Sequence, residues 1–264
     1  MKTSLKIKHT LLLYFVLGIV LLFPQGYGKE PECDKVAQAT YDKIQGIIHQ
    51  IRIGKDTTAN LAKIDKALNA YARKYPDHPN NTALAFFIAG MIDRYDINRA
   101  KKMYQQVIDS GDKTYAAQAE SSLKQLAFLG KPVSMQFMDI NDSPVNLANM
   151  KGKVVLIDFW ATWCGPCIRE LPQVLQVYDK YHQKGFEIVG ISFDENLDLL
   201  KQMTQDKKMP WSQYFDGKRW GNKFGQEYGI IAIPTMWLVD KTGILVDLHA
   251  GVGLEDKIVE LLKR

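Results

Sequence analysis

Two different hydrophobic periodicities divide this chain near residue 130. Before it, apolar residues recur at three- and four-residue intervals. Val36, Thr40, Ile44, Ile47, Ile48 and Ile51 form one stripe. Leu61, Ile64, Leu68, Tyr71 and Tyr75 form a second, and Leu84, Phe87, Ile88, Met91 and Tyr95 a third. Each pattern predicts an amphipathic helix. Tyr75-Pro76-Asp77-His78-Pro79-Asn80-Asn81 breaks the period and reads as a loop. Two more helices are predicted near Asn98–Asp109 and Thr114–Leu129, joined by Ser110-Gly111-Asp112. Short amphipathic helices with short loops predict a small all-α domain of helical hairpins over residues 29–130.

After Gly130-Lys131-Pro132 the period changes. Met135 to Ile140 and Val145 to Leu147 flank Asn141-Asp142-Ser143-Pro144, which predicts a β-hairpin. Lys151-Gly152-Lys153 turns into Val154-Val155-Leu156-Ile157-Asp158-Phe159-Trp160, a buried strand. A helix follows from Cys164 to about Gln183, with Ile168, Leu171, Leu175, Tyr178 and Tyr181 inward and a kink expected at Pro172. Next come a strand at Glu187–Phe193, a short helix near Leu197–Lys207, and an aromatic, glycine-bearing stretch from Trp211 to Gly229. Met236–Val239 and Ile244–Leu248 pair across Asp240–Gly243, and Leu254–Lys263 closes the chain as a helix. A βαβ unit followed by ββα is the ordering of an α/β thioredoxin core. The fold class is therefore α/β over residues 131–264, with an N-terminal hairpin extension, preceded by the helical domain.

In that helical domain, Ala100, Tyr104, Val107 and Ile108 followed by Ala116, Ala119 and Leu123 resemble one tetratricopeptide-type repeat. No clean repeat period runs through the segment, so a generic bundle fits as well. Such a domain does no chemistry alone. It suits peptide binding, self-association or orientation of its neighbour.

Composition narrows the setting. The chain has 264 residues, 46% of them hydrophobic and 24% charged, as in ordinary globular proteins. Of its formal charge of +5, Lys2, Lys6 and Lys8 account for three, leaving +2 for the rest. That small excess gives no reason to expect nucleic acid as a partner. The same lysines precede an apolar run, Leu11–Phe23, which is short against the roughly 20 residues of a membrane span. Pro24 ends the run, and Gly26-Tyr27-Gly28 supplies small residues for cleavage. Residues 1–28 thus read as a signal peptide, or else as an uncleaved anchor. Either places the remainder outside the cytoplasmic membrane, in the periplasm.

Three cysteines occur: Cys33, Cys164 and Cys167. Cys33 follows Pro31-Glu32 and lacks the small residues of a lipid-attachment site. It is expected as a thiol in a mobile N-terminus, with an intermolecular disulfide or a contact with the close pair as alternatives. Cys164-Gly165-Pro166-Cys167 can close a small disulfide ring, or serve as half a zinc site. A structural zinc wants four ligands. His9, His49, His78, His182 and His249 are scattered, so no metal is expected. Gly251-Val252-Gly253 lacks the rest of a phosphate-loop fingerprint and reads as a turn. Where a strand hands over to a helix, the first thiol sits at the positive end of the helix dipole, which favours its thiolate. Cys164 is the expected nucleophile, and Cys167, one turn in, the resolving thiol. Glu170, three residues beyond Cys167, shares its helix face.

Together, Lys151–Val155, Phe159-Trp160-Ala161-Thr162-Trp163-Cys164-Gly165-Pro166-Cys167, Ile233-Pro234-Thr235 and Asp240-Lys241-x-Gly243 resemble the exported, membrane-associated TlpA/ResA-like branch of the thioredoxin superfamily. The resemblance covers residues 131–264 and leaves out the helical half. It implies a thiol–disulfide oxidoreductase whose only redox group is the Cys164–Cys167 disulfide, with no added cofactor. It implies a cis Pro234 facing the cysteines, in a loop with Ile233 and Thr235 that pairs with substrate. Trp163, Gly165 and Pro166 complete the substrate-binding rim, and Trp160 packs around the site. It offers two carboxylates to take the Cys167 proton: Asp158 beneath the site, where the branch often has asparagine, and Glu170. A solvated Glu170 and an Asp158 that only hydrogen-bonds are the alternatives. Gly-Pro between the cysteines is the dipeptide of strongly reducing thioredoxins, which favours a reductase. The implied partners are protein disulfides, apocytochromes awaiting haem among them, and a membrane thiol carrier as electron donor. An oxidase or isomerase, or a helical adaptor with a thioredoxin-like docking module, are the rival readings.

Overall fold

The computed structural model describes residues 31–264, so residues 1–28 lie outside the described part. The helical region comprises α1 (Pro31–Arg52), α2 (Thr57–Lys74), α3 (Asn80–Ile92), α4 (Ile97–Asp109) and α5 (Ala116–Leu126). Local chemistry sets the helix starts. Asp56 accepts the Ala59 N–H at 3.0 Å and Asp96 the Arg99 N–H at 2.9 Å, each satisfying a donor of the first turn. At 22 residues α1 is a long helix rather than a short one. Its buried stripe centres on Ala37, Tyr41, Ile44 and Ile48, while Val36, Thr40 and Ile47 are half-buried. Tyr41 turns inward against Phe87, ring centroids 6.5 Å apart, which fixes that rotation.

Cys33 is not in a mobile terminus. Pro31 suits the first turn of α1, Glu32 and Asp34 favour its positive end, and Cys33 falls one turn before Ala37 on the buried stripe. Cys33 is 0% exposed, and its carbonyl accepts the Tyr71 hydroxyl at 3.4 Å. A thiol so enclosed is not poised for an intermolecular bridge.

The remainder is the α/β unit. A hairpin, β1 (Gln136–Met138) with β2 (Pro144–Asn146), precedes a five-stranded mixed sheet. The sheet strands are β3 (Val154–Trp160), β4 (Phe186–Ser192), β5 (Ser212–Tyr214), β6 (Thr235–Val239) and β7 (Leu245–Asp247), in the order β5-β4-β3-β6-β7. The first three run parallel, and β6 and β7 are antiparallel to their neighbours. Every residue of central β3 is buried, as its unbroken apolar run demands. The helices are α6 (Gly165–Tyr181), α7 (Leu197–Asp206), α8 (Lys223–Tyr228) and α9 (Leu254–Lys263). α6 continues through Pro172 without a break. The stretch from Trp211 to Gly229 contains β5 and α8, which the residue pattern did not separate.

The two regions are stitched together. Gly130 N–H donates to Leu245 O at 2.8 Å, and Leu245 N–H to Lys131 O at 2.9 Å, so the connecting segment lies along the sheet edge beside β7. Phe128 packs against Tyr228 at 4.9 Å. Gln125 Nε2 donates to Gly229 O at 2.7 Å, and His249 Nε2 lies 2.8 Å from Asp93 Oδ2.

Candidate active site

β3 ends at Trp160, and four residues later Cys164 caps α6. Cys164 is extended (φ −82°, ψ 95°), and its Sγ accepts the Cys167 N–H at 3.2 Å. The two cysteines form a disulfide with Cα atoms 5.3 Å apart. A thiolate at Cys164 would keep that N–H donor and face the unpaired amides of the first helical turn, both favouring the anion. Exposure does not separate the pair: Cys164 is 4% exposed and Cys167 6%. Position in the helix distinguishes the first sulfur, not access.

Two carboxyl groups lie on the elements that flank the disulfide, Asp158 on β3 and Glu170 on α6. Asp158, in the middle of β3, is buried, and its pKa is pushed up to about 7 by loss of solvation first and by the nearby Glu170 second. Among the described residues, its Oδ1 finds no hydrogen-bond partner. Burial raises the pKa of half-buried Glu170 too, and Arg169 opposes that shift. Loss of solvation, with the nearby Glu170 carboxylate adding to it, holds the proton on Asp158 into the neutral range. Such a group can take or give a proton at physiological pH.

Sheet register brings in the third element. Thr235 is opposite Phe159, and Met236 opposite Asp158, so Pro234 stands beside the strand end from which Cys164 departs. The Ile233–Pro234 bond is cis. Thr235 Oγ1 donates back to Ala232 O at 2.8 Å, closing that loop. Gly165 is exposed and Pro166 half-exposed. A Cβ on Gly165 would come 3.5 Å from the Arg169 guanidinium, so that cation lies across the first turn of α6. Trp163 is 44% exposed at the rim. Trp160 is instead core: 2% exposed, with Nε1 donating to Gln213 Oε1 at 2.9 Å.

One residue escaped the pattern reading. Asp194, just past β4 and 3% exposed, accepts the Thr162 N–H with both oxygens at 3.1 Å. It also accepts the Thr162 hydroxyl at 2.6 Å and the Ser192 hydroxyl at 2.8 Å. It pins the loop that carries Trp163 and Cys164. A single aspartate after a strand carries no local signature of this. Among the described residues, no group of three or more His, Cys, Asp or Glu side chains could hold a metal ion.

The profile of the Redoxin family matches residues 118–262. The thiol-disulfide oxidoreductase ResA of Bacillus thuringiensis subsp. konkukian is 32% identical over 126 residues, which is 48% of this chain and 71% of that protein. The thiol:disulfide interchange protein HelX of Rhodobacter capsulatus is 30% identical over 120 residues, 45% of this chain and 65% of that protein. Among solved structures, the thioredoxin domain of a thiol-disulfide oxidoreductase from Bacteroides vulgatus is 30% identical with a TM-score of 0.46, covering 51% of this chain and 97% of that one. The family profile spans more than half of the chain, from inside α5 to the end of α9. The chain belongs to the Redoxin family, as a TlpA/ResA-like thiol–disulfide oxidoreductase of the thioredoxin superfamily.

Proposed function

We propose that this oxidoreductase is exported and acts as a protein-disulfide reductase through a Cys164/Cys167 dithiol–disulfide cycle. The disulfide at the N-terminus of α6, with a buried carboxyl group of pKa about 7 in the strand that leads to it, supports this reading. In the reduced protein, the Cys164 thiolate attacks one sulfur of a client disulfide. A Cys164–client bond forms, the client S–S bond breaks, and the second client sulfur leaves as a thiolate that takes a proton. Asp158, ionised with Glu170 beside it, accepts the Cys167 proton. The Cys167 thiolate then attacks Cys164 Sγ, the mixed disulfide breaks, and the client leaves with its second thiol. Two electrons have passed to the client, and the protein is left oxidised as in this structure. The pair itself is the redox group, so no added cofactor or metal enters the cycle.

Regeneration requires a thiol donor. For a protein carrying the basic and apolar segment of residues 1–28, that donor is a membrane thiol carrier, and the cycle runs in the periplasm. Apocytochromes with disulfides that must open before haem attachment are the client class the family suggests. The helical unit of residues 29–130 serves self-association or client orientation, and residues 131–264 carry the chemistry. Gly165, Pro166, Ile233, Pro234 and Thr235 provide the docking rim with Trp163.

Insulin reduction driven by dithiothreitol tests this. The wild type is expected to precipitate the insulin B chain faster than dithiothreitol alone, and Cys164→Ser to abolish the gain. An inert wild type would point instead to a docking module that has kept its cysteines without using them.

A further inference from the structure

The segment between β5 and α8 sends two side chains to the rim of the disulfide that the exchange cycle does not use. Trp220 is 39% exposed and meets Trp163, itself 44% exposed, edge to face at 6.0 Å with an interplanar angle of 64°. On its other side Trp220 rests on buried Phe193 at 5.2 Å. The Arg219 guanidinium lies 5.0 Å above the Trp163 ring and 3.5 Å from the Glu195 carboxylate. The turn that presents them is anchored. Gln226 Nε2 donates to Trp220 O at 2.7 Å, Asp216 accepts the N–H groups of Lys218 and Lys223 at 3.0 and 2.9 Å, and Arg219 takes a left-handed φ of +50°. A non-glycine residue held there marks a turn fixed by its surroundings.

Cys164 follows Trp163 directly and is only 4% exposed. A partner chain that brings a sulfur to Cys164 passes close to the exposed Trp163 side chain, its immediate neighbour in sequence. An extended chain advances about 3.3–3.6 Å per residue, so the residues one or two positions from the partner's cysteine reach the paired indoles. Two rings set edge to face leave a notch with one ring face and one ring edge, the arrangement a third aromatic ring completes.

We infer that Trp163 and Trp220 form a subsite for an aromatic side chain flanking the client's cysteine, with Arg219 as the positioning residue that holds the Trp163 ring. The inference rests on the exchange reading above and adds to it a client chemistry: an extended, cysteine-bearing segment with Phe, Tyr or Trp within two residues of the reacting sulfur.

The test compares two peptides of equal length and charge, each closed by an internal disulfide, with Phe or Ser beside the first cysteine. Dithiothreitol supplies the electrons, and the ratio of kcat/KM for the two peptides is read, so that any general loss of activity cancels. The wild type is expected to prefer the Phe peptide by about three- to tenfold, carried by KM. Trp220→Ala is expected to bring the ratio to about one, Arg219→Gln to lower it, and Trp220→Phe to retain it. A wild-type ratio of one, or an undiminished ratio in Trp220→Ala, overturns the subsite. A wild type inert toward both peptides and toward oxidised glutathione overturns the exchange reading itself, and this inference with it.

Discussion

Asp158 concentrates the chemistry of single residues in this protein. Its carboxyl is buried with a pKa of about 7, against 3.8 for the exposed group, mainly because the charged form loses its hydration. The native state thus holds a proton that the unfolded chain releases near pH 4. Stability falls as pH rises from about 4 to about 7 and levels off above, by on the order of 4 kcal/mol if nothing else titrates. Urea unfolding of Asp158→Asn between pH 4 and 9 is expected to show that slope removed. A slope equal to that of the wild type would mean that Asp158 ionises normally. The same substitution is expected to slow resolution of a mixed disulfide by Cys167 about a hundredfold, the usual loss for a positioned general base. Stopped-flow fluorescence with a preformed Cys164 adduct reads that step, and an unchanged rate would remove Asp158 from the proton path. Glu170→Gln takes away the neighbouring charge. It is expected to move the pH midpoint of resolution downward, because less repulsion opposes ionisation of Asp158.

At the scale of elements, contrast decided what could be read in advance. β3, α6, β6 and the hairpin were legible because long apolar runs or clear alternation meet glycine, proline or charged breaks. β5 and α8 were not: one is a three-residue edge strand that turns a glutamine inward, the other a six-residue helix containing a glycine. Tertiary contacts make them. Gln213 is 1% exposed, and its carboxamide lies where a side chain on Gly190 of β4 would project, 2.0 Å from such a Cβ, while bonded to Trp160 Nε1. Gly190→Ala is therefore expected to break the Trp160–Gln213 bond and cost about 1–3 kcal/mol. Guanidinium unfolding followed by tryptophan fluorescence measures it, and a neutral result would mean that Gln213 has another place to go. The core of the site, Cys164 with Cys167, was legible from spacing and context. Asp194 was not, because its contact with Thr162 joins residues 32 apart in sequence.

Across the whole molecule, the helical region touches the end of α8, ahead of the Pro234 loop, and the segment that follows β7. Gln125 and Lys124 bind Gly229 O and Gln226 O, just before the Pro234 loop. Asp93 pairs with His249, just before the loop whose Ala250 N–H donates to Met236 O. Gly229 suits this closeness: its φ is +74°, and a Cβ there would lie 3.1 Å from Ser121 O. Phe128 fills the seam against Tyr228 and Trp237. Phe128→Ala is expected to cost about 2–3 kcal/mol, below the range for a fully buried ring, and to lower the single thermal transition of both regions together. Calorimetry showing two separate transitions in the wild type would mean that the regions fold independently. All of this frames one redox pair, and its role turns on the direction in which it passes electrons. Its reduction potential, measured by equilibration with glutathione buffers, decides that direction. A reductase with Gly-Pro between its cysteines is expected below roughly −200 mV, toward thioredoxin, whereas a value near roughly −120 mV would make the protein an oxidant and rule out the reductase cycle.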